Sequence, residues 1–199
     1  MKKFHKIASI ALALVMASMC FTACGDTAKE GESGSGTIKI GGIGPLTGST
    51  QIYGNAVKNG AEIAVDEINA KGGLQFELKF EDDENDAEKA TNAYNTLKDW
   101  GMQISLGAVT TQPCIAVSSL TNEDHMFALT PSGSSTDIIG GQPDADGNVT
   151  IPRKDNMFQM CFTDPNQGTK AAEYISQQQL GSKIAVIYDM SDAYSSGIY

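Results

Sequence analysis

The sequence predicts an α/β domain built on a parallel sheet, and three observations favour this fold class. Short apolar strands alternate with helical patterns from residue 37 onward. No hairpin signal joins successive strands, so each strand is expected to return through a helical crossover. The 199 residues are 41% hydrophobic, which is enough apolar material for a buried core.

The first strand, loop and helix show this pattern most clearly. Residues 37–43 form an apolar run that leads into a turn-rich segment at 44–48. From Val57 the apolar residues recur at i, i+4, i+7, i+8 and i+11, which predicts a helix over 53–69. A pair of glycines follows and is expected to end that helix.

The second strand is predicted by strict alternation, because Phe76, Leu78 and Phe80 alternate with charged residues. The helical spacing and the strand alternation also predict the remaining elements. A polar excursion, which is longer than an ordinary connection, interrupts their series. In order they are a helix at 87–97, a strand at 104–106, a helix at 113–122, a strand at 127–129, the excursion at 140–156, an ordered run at 157–162, a helix at 166–179 and a strand at 184–188.

The last of these strands is predicted without enough neighbours. Residues 184–188 lie so near Tyr199 that no second strand or covering helix can follow them. We therefore expect the chain to be a truncated piece of a longer protein. We also expect residues 37–199 alone to bind ligand far more weakly than the full protein and to expose residues 165–199 to protease.

The N-terminus has the features of an export signal. A basic start precedes an apolar run at 7–19, which is shorter than the roughly 20 residues of a membrane-spanning helix. The junction FTAC at 21–24 resembles a bacterial lipobox, which implies a signal peptide at 1–23 and a lipid anchor on Cys24. An ordinary cleaved signal peptide and a short N-terminal anchor are the alternatives. Residues 24–36 have no hydrophobic period and are expected to be a flexible tether.

Composition excludes several classes of function. A net charge of −10 argues against nucleic-acid binding, which needs clustered Lys and Arg, and against a basic patch for anionic lipid. The two histidines, His5 and His125, leave almost no material for a metal site or a catalytic triad. Beyond the export signal only Cys114 and Cys161 remain, and we expect them to be structural thiols and not a disulfide framework.

Motifs for catalysis or cofactor binding are equally scarce. The glycines at 42, 44 and 48 imitate a dinucleotide fingerprint, but the third glycine comes one position late and Pro45 intrudes. The sequence contains neither a phosphate-binding loop nor a nucleophile elbow. The acidic residues at 81–84 could bind a cation, although a solvated loop is the better interpretation. We expect no enzyme activity, no cofactor and no metal.

Hydroxyl groups follow two predicted strands, at the edge where open α/β sheets bind ligands. Thr111 stands just before Pro113, so it is a candidate N-cap at a helix start that attracts anions. After the next strand, Ser132 and Ser134 flank Gly133, which allows close backbone approach. Ordinary helix and turn capping is the alternative for each position alone. Taken together, the two positions predict a small polar ligand that carries a carboxylate.

Several motifs carry a resemblance to a known family. They are IKI at 38–40, GPLTG at 44–48, YG at 53–54, GAE at 60–62, DEINAKGG at 66–73, DD at 82–83, TPS at 130–132, QG at 167–168, YD at 188–189 and Tyr194. Through these motifs the chain from residue 37 to 199 resembles the branched-chain (Leu/Ile/Val) amino-acid-binding proteins of ABC importers. This resemblance implies two Rossmann-like lobes that close on a ligand, with residues 37–159 as the N-terminal lobe and 160–199 as the start of the second.

The resemblance also implies roles for individual residues. Thr111 would hold the ligand carboxylate, and Ser132 and Ser134 would hold the carboxylate and the ammonium. Tyr53 and Tyr194 would flank the pocket. Ser134 stands where the family usually has threonine, and the family's ammonium-pairing acid would lie beyond residue 199.

The resemblance implies that the protein is a solute-binding protein that delivers an amino acid to ABC permease subunits. It would act as a monomer and would be anchored to the membrane by lipid. A ligand-sensing receptor domain of the same fold is one alternative. A binder of amides, urea or similar small solutes is another. An exported hydrolase is disfavoured because no nucleophile–base pair can be identified in the sequence.

Overall fold

The computed structural model describes residues 36–143 and 146–199. The predicted signal peptide, the candidate anchor Cys24 and nearly all of the tether lie outside these residues. Residues 36–199 form one compact unit. Its elements are β1 (Thr37–Gly44), α1 (Gln51–Asn69), β2 (Gln75–Asp82), α2 (Ala87–Trp100), β3 (Ile104–Ser105), α3 (Thr111–Glu123), β4 (Ala128–Thr130), a 3-10 turn (Thr136–Ile138), β5 (Met157–Gln159), α4 (Asp164–Gln177) and α5 (Ala193–Ile198).

The sheet is parallel throughout and has the order β2-β1-β3-β4-β5. Ile40 in the centre of β1 pairs with Leu78 on one side and with Ile104 on the other. The chain therefore moves from β1 outward to β2, crosses back to β3 and continues in the opposite direction. The predicted α/β domain on a parallel sheet is confirmed, and its strand order reverses between β1 and β3, where such sheets form a crevice.

The core lies between the sheet and the helices α2 and α3. Tyr94 and Leu97 of α2 are fully buried, as is Val117 of α3. The Tyr94 hydroxyl donates to Oδ2 of Asp124 at 2.9 Å, so the one polar atom of this large buried side chain has a partner. The other buried apolar residues that complete this cluster are Ile43, Ala90, Ala93, Met102, Ala108, Cys114, Ala128, Ile138 and Met157.

Helix α1 is less buried than its sequence pattern predicts. Val57, Ala61 and Val65 are half-buried, as expected for the face toward the sheet, but Ala64 and Ile68 on the same predicted face are exposed. Gly54 is the buried residue of this helix. The apolar stripe is therefore wider than the surface that β1 and β2 cover.

The polar excursion after β4 is tied to the domain by a buried lysine. The Lys154 ammonium donates to the Ser118 hydroxyl at 2.8 Å and to the carbonyls of Asp137 and Ile138 at 3.0 and 3.2 Å. Burial lowers the pKa of Lys154, and the Asp137 carboxylate acts in the opposite direction. All three ammonium hydrogens thus have acceptors, which is the condition for burying such a group.

The predicted strand at 184–188 is wrong, because these residues adopt no strand in the structure. A strand is stabilised by pairing with a neighbour, and this segment pairs with none of the five strands of the sheet. Its side chains remain largely exposed, with Ile187 97% accessible. The short helix α5 that follows was not predicted.

Candidate functional site

A cavity of about 440 Å³ opens at the carboxyl ends of the strands. The loops after β1, β2, β3 and β4 each contribute to it, and the segment before α5 closes one side. It therefore occupies the crevice that the reversal of strand order between β1 and β3 creates.

The structure brings all five predicted ligand-binding residues together. Thr111, Ser132, Ser134, Tyr53 and Tyr194 line this one cavity, although they lie up to 141 positions apart in the sequence. Their juxtaposition is a finding of the structure. That they bind a ligand remains a prediction.

The predicted helix cap is shifted by one residue. Thr110, and not Thr111, is the N-cap of α3, with extended backbone angles of −103° and 159° and no side-chain capping bond. Thr111 is the first helical residue, and both it and Gln112 line the cavity. The backbone N–H groups of a first helical turn have no acceptor within the helix, so this end of α3 presents donors to the cavity.

The loop after β4 is fixed by hydrogen bonds to its neighbours. The Ser132 hydroxyl donates to the Val109 carbonyl at 2.7 Å, and the Thr130 hydroxyl donates to the Ala108 carbonyl at 2.9 Å. The Thr130 oxygen also accepts the Gly133 N–H at 2.9 Å. These bonds hold the β3–α3 loop and the β4 loop as one rigid wall of the cavity.

Gly133 is required at its position by packing. A Cβ atom there would lie 2.5 Å from Sγ of Cys114 and 2.8 Å from Oγ1 of Thr130. The thiol of Cys161 donates to the Gly133 carbonyl at 3.2 Å. Both cysteines are free in the structure, in agreement with their predicted role as structural thiols.

Three aromatic side chains form the more open part of the cavity. Tyr53 extends from α1, Phe162 follows β5 and Tyr194 extends from α5. The Tyr194 hydroxyl bonds to Oε1 of Gln167 at 3.2 Å, which orients the ring. Phe162 was not predicted, although its position just beyond the carboxyl end of a strand is the signal that could have identified it.

The charged residue of the cavity was also missed by the sequence analysis. Asp192 lines the same cavity and caps α5, because its Oδ2 accepts the Ser195 N–H at 2.8 Å. Aspartate before a helix is a capping signal, but the short α5 has no hydrophobic period to reveal the helix. No lysine, arginine or histidine of the described chain lines the cavity.

A second carboxylate, that of Asp164, is buried close to Ser134 and Asp192. Asp164 is only 1% exposed, and neither carboxylate oxygen has a hydrogen-bond partner among the described residues. Burial raises the pKa of Asp164, the nearby Ser134 hydroxyl lowers it and the Asp192 carboxylate raises it. Its backbone N–H donates to the Ser134 carbonyl at 3.0 Å, so it is attached directly to the ligand-facing loop.

The described residues contain neither a metal site nor a membrane-spanning helix. Within residues 36–143 and 146–199, no cluster of His, Cys, Asp or Glu has the arrangement of a metal site. None of the helices in the same ranges combines the length and apolarity needed to cross a bilayer.

Comparison with known proteins agrees with the fold. A family model described as "periplasmic binding protein" matches residues 37–198. The chain belongs to the periplasmic binding protein family. Proteins of this family are substrate-binding components of transporters and not enzymes.

Two curated relatives of this binding protein are named for the ligands they bind. A Leu/Ile/Val-binding protein homolog from Brucella melitensis is 34% identical over 164 residues, which is 81% of this chain and 41% of the relative. The Leu/Ile/Val-binding protein BraC3 of Rhizobium johnstonii is 33% identical over the same shares of both chains. This binding protein thus spans about 41% of the length of the curated relatives it matches.

A solved structure shows the same fold. The branched-chain amino acid transporter substrate-binding protein LivJ of Streptococcus pneumoniae, determined in complex with isoleucine, matches with a TM-score of 0.71 and 27% identity. The match covers 82% of this chain and 44% of the pneumococcal protein. The predicted resemblance to branched-chain amino-acid-binding proteins is confirmed.

Proposed function

We propose that the protein is an extracytoplasmic solute-binding protein that captures an amino acid with an aliphatic side chain. The observation that carries this proposal is the cavity in which three hydroxyl residues, a helix N-terminus and aromatic side chains converge. Each part of that cavity matches one part of such a ligand.

The carboxylate of the ligand is assigned to the rigid wall of the cavity. Thr111 and Gln112 offer backbone N–H groups at the start of α3, where the helix dipole favours negative charge. Ser132 and Ser134 stand beside them on the loop after β4. Charge-assisted hydrogen bonds of this kind can hold a carboxylate without a basic residue.

The side chain of the ligand is assigned to the aromatic part. Tyr53, Phe162 and Tyr194 offer apolar ring faces that suit a branched aliphatic group. The names of the curated relatives, Leu/Ile/Val-binding proteins, and the isoleucine in the pneumococcal complex support the same class of ligand.

Delivery and location complete the proposal. The captured amino acid passes to ABC permease subunits, and the protein acts as a monomer held at the cell membrane by a lipid on Cys24. Residues 37–159 constitute the N-terminal lobe and residues 160–199 begin the second. The Ala23-Cys24 junction and the family membership support this arrangement.

A thermal-shift panel tests the proposed ligand class. L-leucine, L-isoleucine and L-valine should each raise the melting temperature, because a ligand that binds only the folded state stabilises it by mass action. Acetamide and urea at equal, non-denaturing concentrations are the comparison compounds. A shift with these amides and none with the amino acids would contradict the proposal and favour an amide-binding protein.

A further inference from the structure

Helix α5 packs closely onto the first turns of α4. A Cβ atom on Gly197 of α5 would lie 2.7 Å from Oδ2 of Asp164, and one on Gly168 of α4 would clash with the Ile198 carbonyl. Tyr194, which lies on the same short helix, lines the cavity. The packing of α5 on α4 therefore sets the position of that ring.

The contact between the two helices encloses a carboxyl group that the protein leaves unpaired. Asp164 is the first residue of α4 and is 1% exposed, and neither of its carboxylate oxygens accepts a hydrogen bond from the described residues. The Ser134 hydroxyl lies beside it but makes no such bond. Among the described residues no Lys, Arg or His forms an ion pair with it. Burying an unpaired carboxylate is costly, and burying the neutral acid costs much less.

The surroundings of Asp164 couple the packing of α5 to a proton. Burial raises the pKa of Asp164 above its ordinary value of 3.8, the Ser134 hydroxyl lowers it and the Asp192 carboxylate raises it. The Cys161 thiol also faces this carboxyl. Because α5 covers Oδ2, moving the helix away would return Asp164 to water and to its ordinary pKa. The packed arrangement thus binds the proton more tightly, and lowering the pH favours it.

We propose that Asp164 is a positioning residue whose protonation allows α5 to pack beside the cavity. The neutral acid lets α5 lie against α4 and holds Tyr194 at the cavity, whereas the carboxylate loosens α5. Asp164 does not line the cavity, so it acts on a ligand only through α5. The inference deepens the proposed function, and its ligand measurement rests on that function.

Hydrogen exchange of the α5 amides tests the packing without any ligand. The measured quantity is the protection factor, which compares each amide with an unstructured peptide at the same pH. In the wild-type full-length protein it should rise as the pH falls from about 7 toward about 4.5, by at most about tenfold for each pH unit, because one proton is taken up. Protonation of the Asp192 cap would weaken α5 and change the protection factor in the opposite direction.

Asp164→Asn removes the titrating group and keeps the size of the side chain. The protection of α5 in this variant should no longer rise as the pH falls, whereas a merely structural role would shift protection by one factor at every pH. Asp83, which titrates in the same range, is present in both proteins. Asp164→Ala is the second neutral variant if Asp164→Asn does not fold, and the melting temperature without ligand shows that each variant is folded.

Asp189→Asn is the matched control. Asp189 is an exposed acid in the segment before α5, and its carboxylate accepts hydrogen bonds from Ser191. It does not contact α4 through its carboxylate, so this variant should keep the pH profile of the wild type.

Calorimetry with L-leucine at the same pH values tests the effect on the cavity. The dissociation constant of the wild type should fall along with the pH while the protection of α5 rises, and that of Asp164→Asn should not. The α-carboxyl and α-amino groups of free leucine titrate outside this range, so the change reports the protein.

The outcomes separate this inference from the proposed function. Protection of α5 that does not rise at low pH in the wild type, or that rises equally in Asp164→Asn, would overturn the inference. A leucine affinity that stays constant while the protection changes would overturn the positioning role. Failure of leucine to bind at any pH would refute the proposed function, and hydrogen exchange would still decide whether a proton controls the packing of α5.

Discussion

The hydroxyl groups around the cavity serve the fold as well as the proposed ligand. Ser132 and Thr130 donate their hydrogens to carbonyls of the β3–α3 loop, which leaves only their oxygen lone pairs for other donors. Thr111 forms no such bond with the described residues, and the Ser134 hydroxyl lies beside the Asp164 carboxyl. Of the three predicted hydroxyl residues, Thr111 and Ser134 are therefore better candidates than Ser132 to donate to a carboxylate.

Alanine at either of these two positions should weaken leucine binding. Losing one charge-assisted hydrogen bond costs about 1.5–3 kcal/mol, which corresponds to about ten- to more than a hundred-fold in the dissociation constant. Ser134→Ala and Thr111→Ala should each show this loss by calorimetry. Ser176, on the exposed face of α4, provides the control whose alanine variant stays near the wild-type value. Unchanged affinity in both variants would place the carboxylate elsewhere.

The two hydroxyl residues are almost completely enclosed and do not face an open cleft. Ser134 is 3% exposed and Thr111 is 7% exposed, because the rigid β4 loop and the first turn of α3 enclose them. Their alanine variants can therefore lose stability as well as affinity. The melting temperature without ligand distinguishes the two effects.

Asp83 should make stability depend on pH in a direction opposite to that of an ordinary paired carboxylate. It is fully buried, with Oδ1 accepting the Asn85 N–H at 2.8 Å and Oδ2 without a partner among the described residues. Burial raises the pKa of Asp83 from 3.8 to about 6. Because the folded state binds the proton more tightly, this group adds stability as the pH falls from about 6 to about 4.

Urea unfolding at several pH values tests this effect against the variant Asp83→Asn. The free energy of unfolding of the wild type, minus that of the variant, should be larger at pH 4 than at pH 7. Other acids are present in both proteins, so their contributions to the pH dependence cancel in the difference. One of them is Asp82, whose pKa is held below its ordinary value by hydrogen bonds. A difference that does not vary with pH would show that Asp83 titrates normally.

At the scale of elements, the entry into α1 depends on a close approach between helix and loop. A Cβ atom on Gly54 would lie 2.0 Å from the carbonyl oxygen of Pro45, so only glycine fits. This contact sets the position of Tyr53 and of the loop after β1 at the cavity.

Gly54→Ala should therefore destabilise the fold by about 1–3 kcal/mol, the usual range for an overpacked contact. Gly60→Ala in the same helix is the matched control, because nothing lies within 4 Å of its Cβ position. Removing that glycine should stabilise the helix by up to about 1 kcal/mol. Equal effects of the two substitutions in urea unfolding would contradict the packing argument.

The elements that could be predicted are those whose own residues determine them. Alternation at 76–80 and the helical period at 53–69 were sufficient because each segment packs against a neighbouring element that is present. The segment at 184–188 has the same apolar composition as a strand but no neighbour to pair with, and a local pattern does not contain that information. Asp192 and Phe162 were missed for a related reason, since only the fold brings them to the hydroxyl groups.

At the scale of the whole molecule, the chain carries two separate signals for where it works. The family membership places it among extracytoplasmic binding proteins. The junction FTAC at 21–24 adds a proposed covalent attachment to the membrane. These signals are independent, because capture of a ligand at the cavity needs no lipid.

Cys24→Ser should release the protein from the membrane without changing its affinity for leucine. A lipid chain contributes about 0.8 kcal/mol for each buried CH₂ group, so its loss removes the anchor. Fractionation of cells and the mobility of the protein on a gel report the attachment. Membrane association that persists in the variant, with unaltered mobility, would refute the lipoprotein interpretation.

The central claim is that an amino acid binds in the cavity at the carboxyl ends of β1, β3 and β4. A crystal structure of the full-length protein with L-leucine tests it most directly. We expect the leucine carboxylate at the N–H groups of Thr111 and Gln112 and the side chain against Tyr53 and Tyr194. Leucine bound at another place, or the cavity empty at saturating leucine, would contradict the claim.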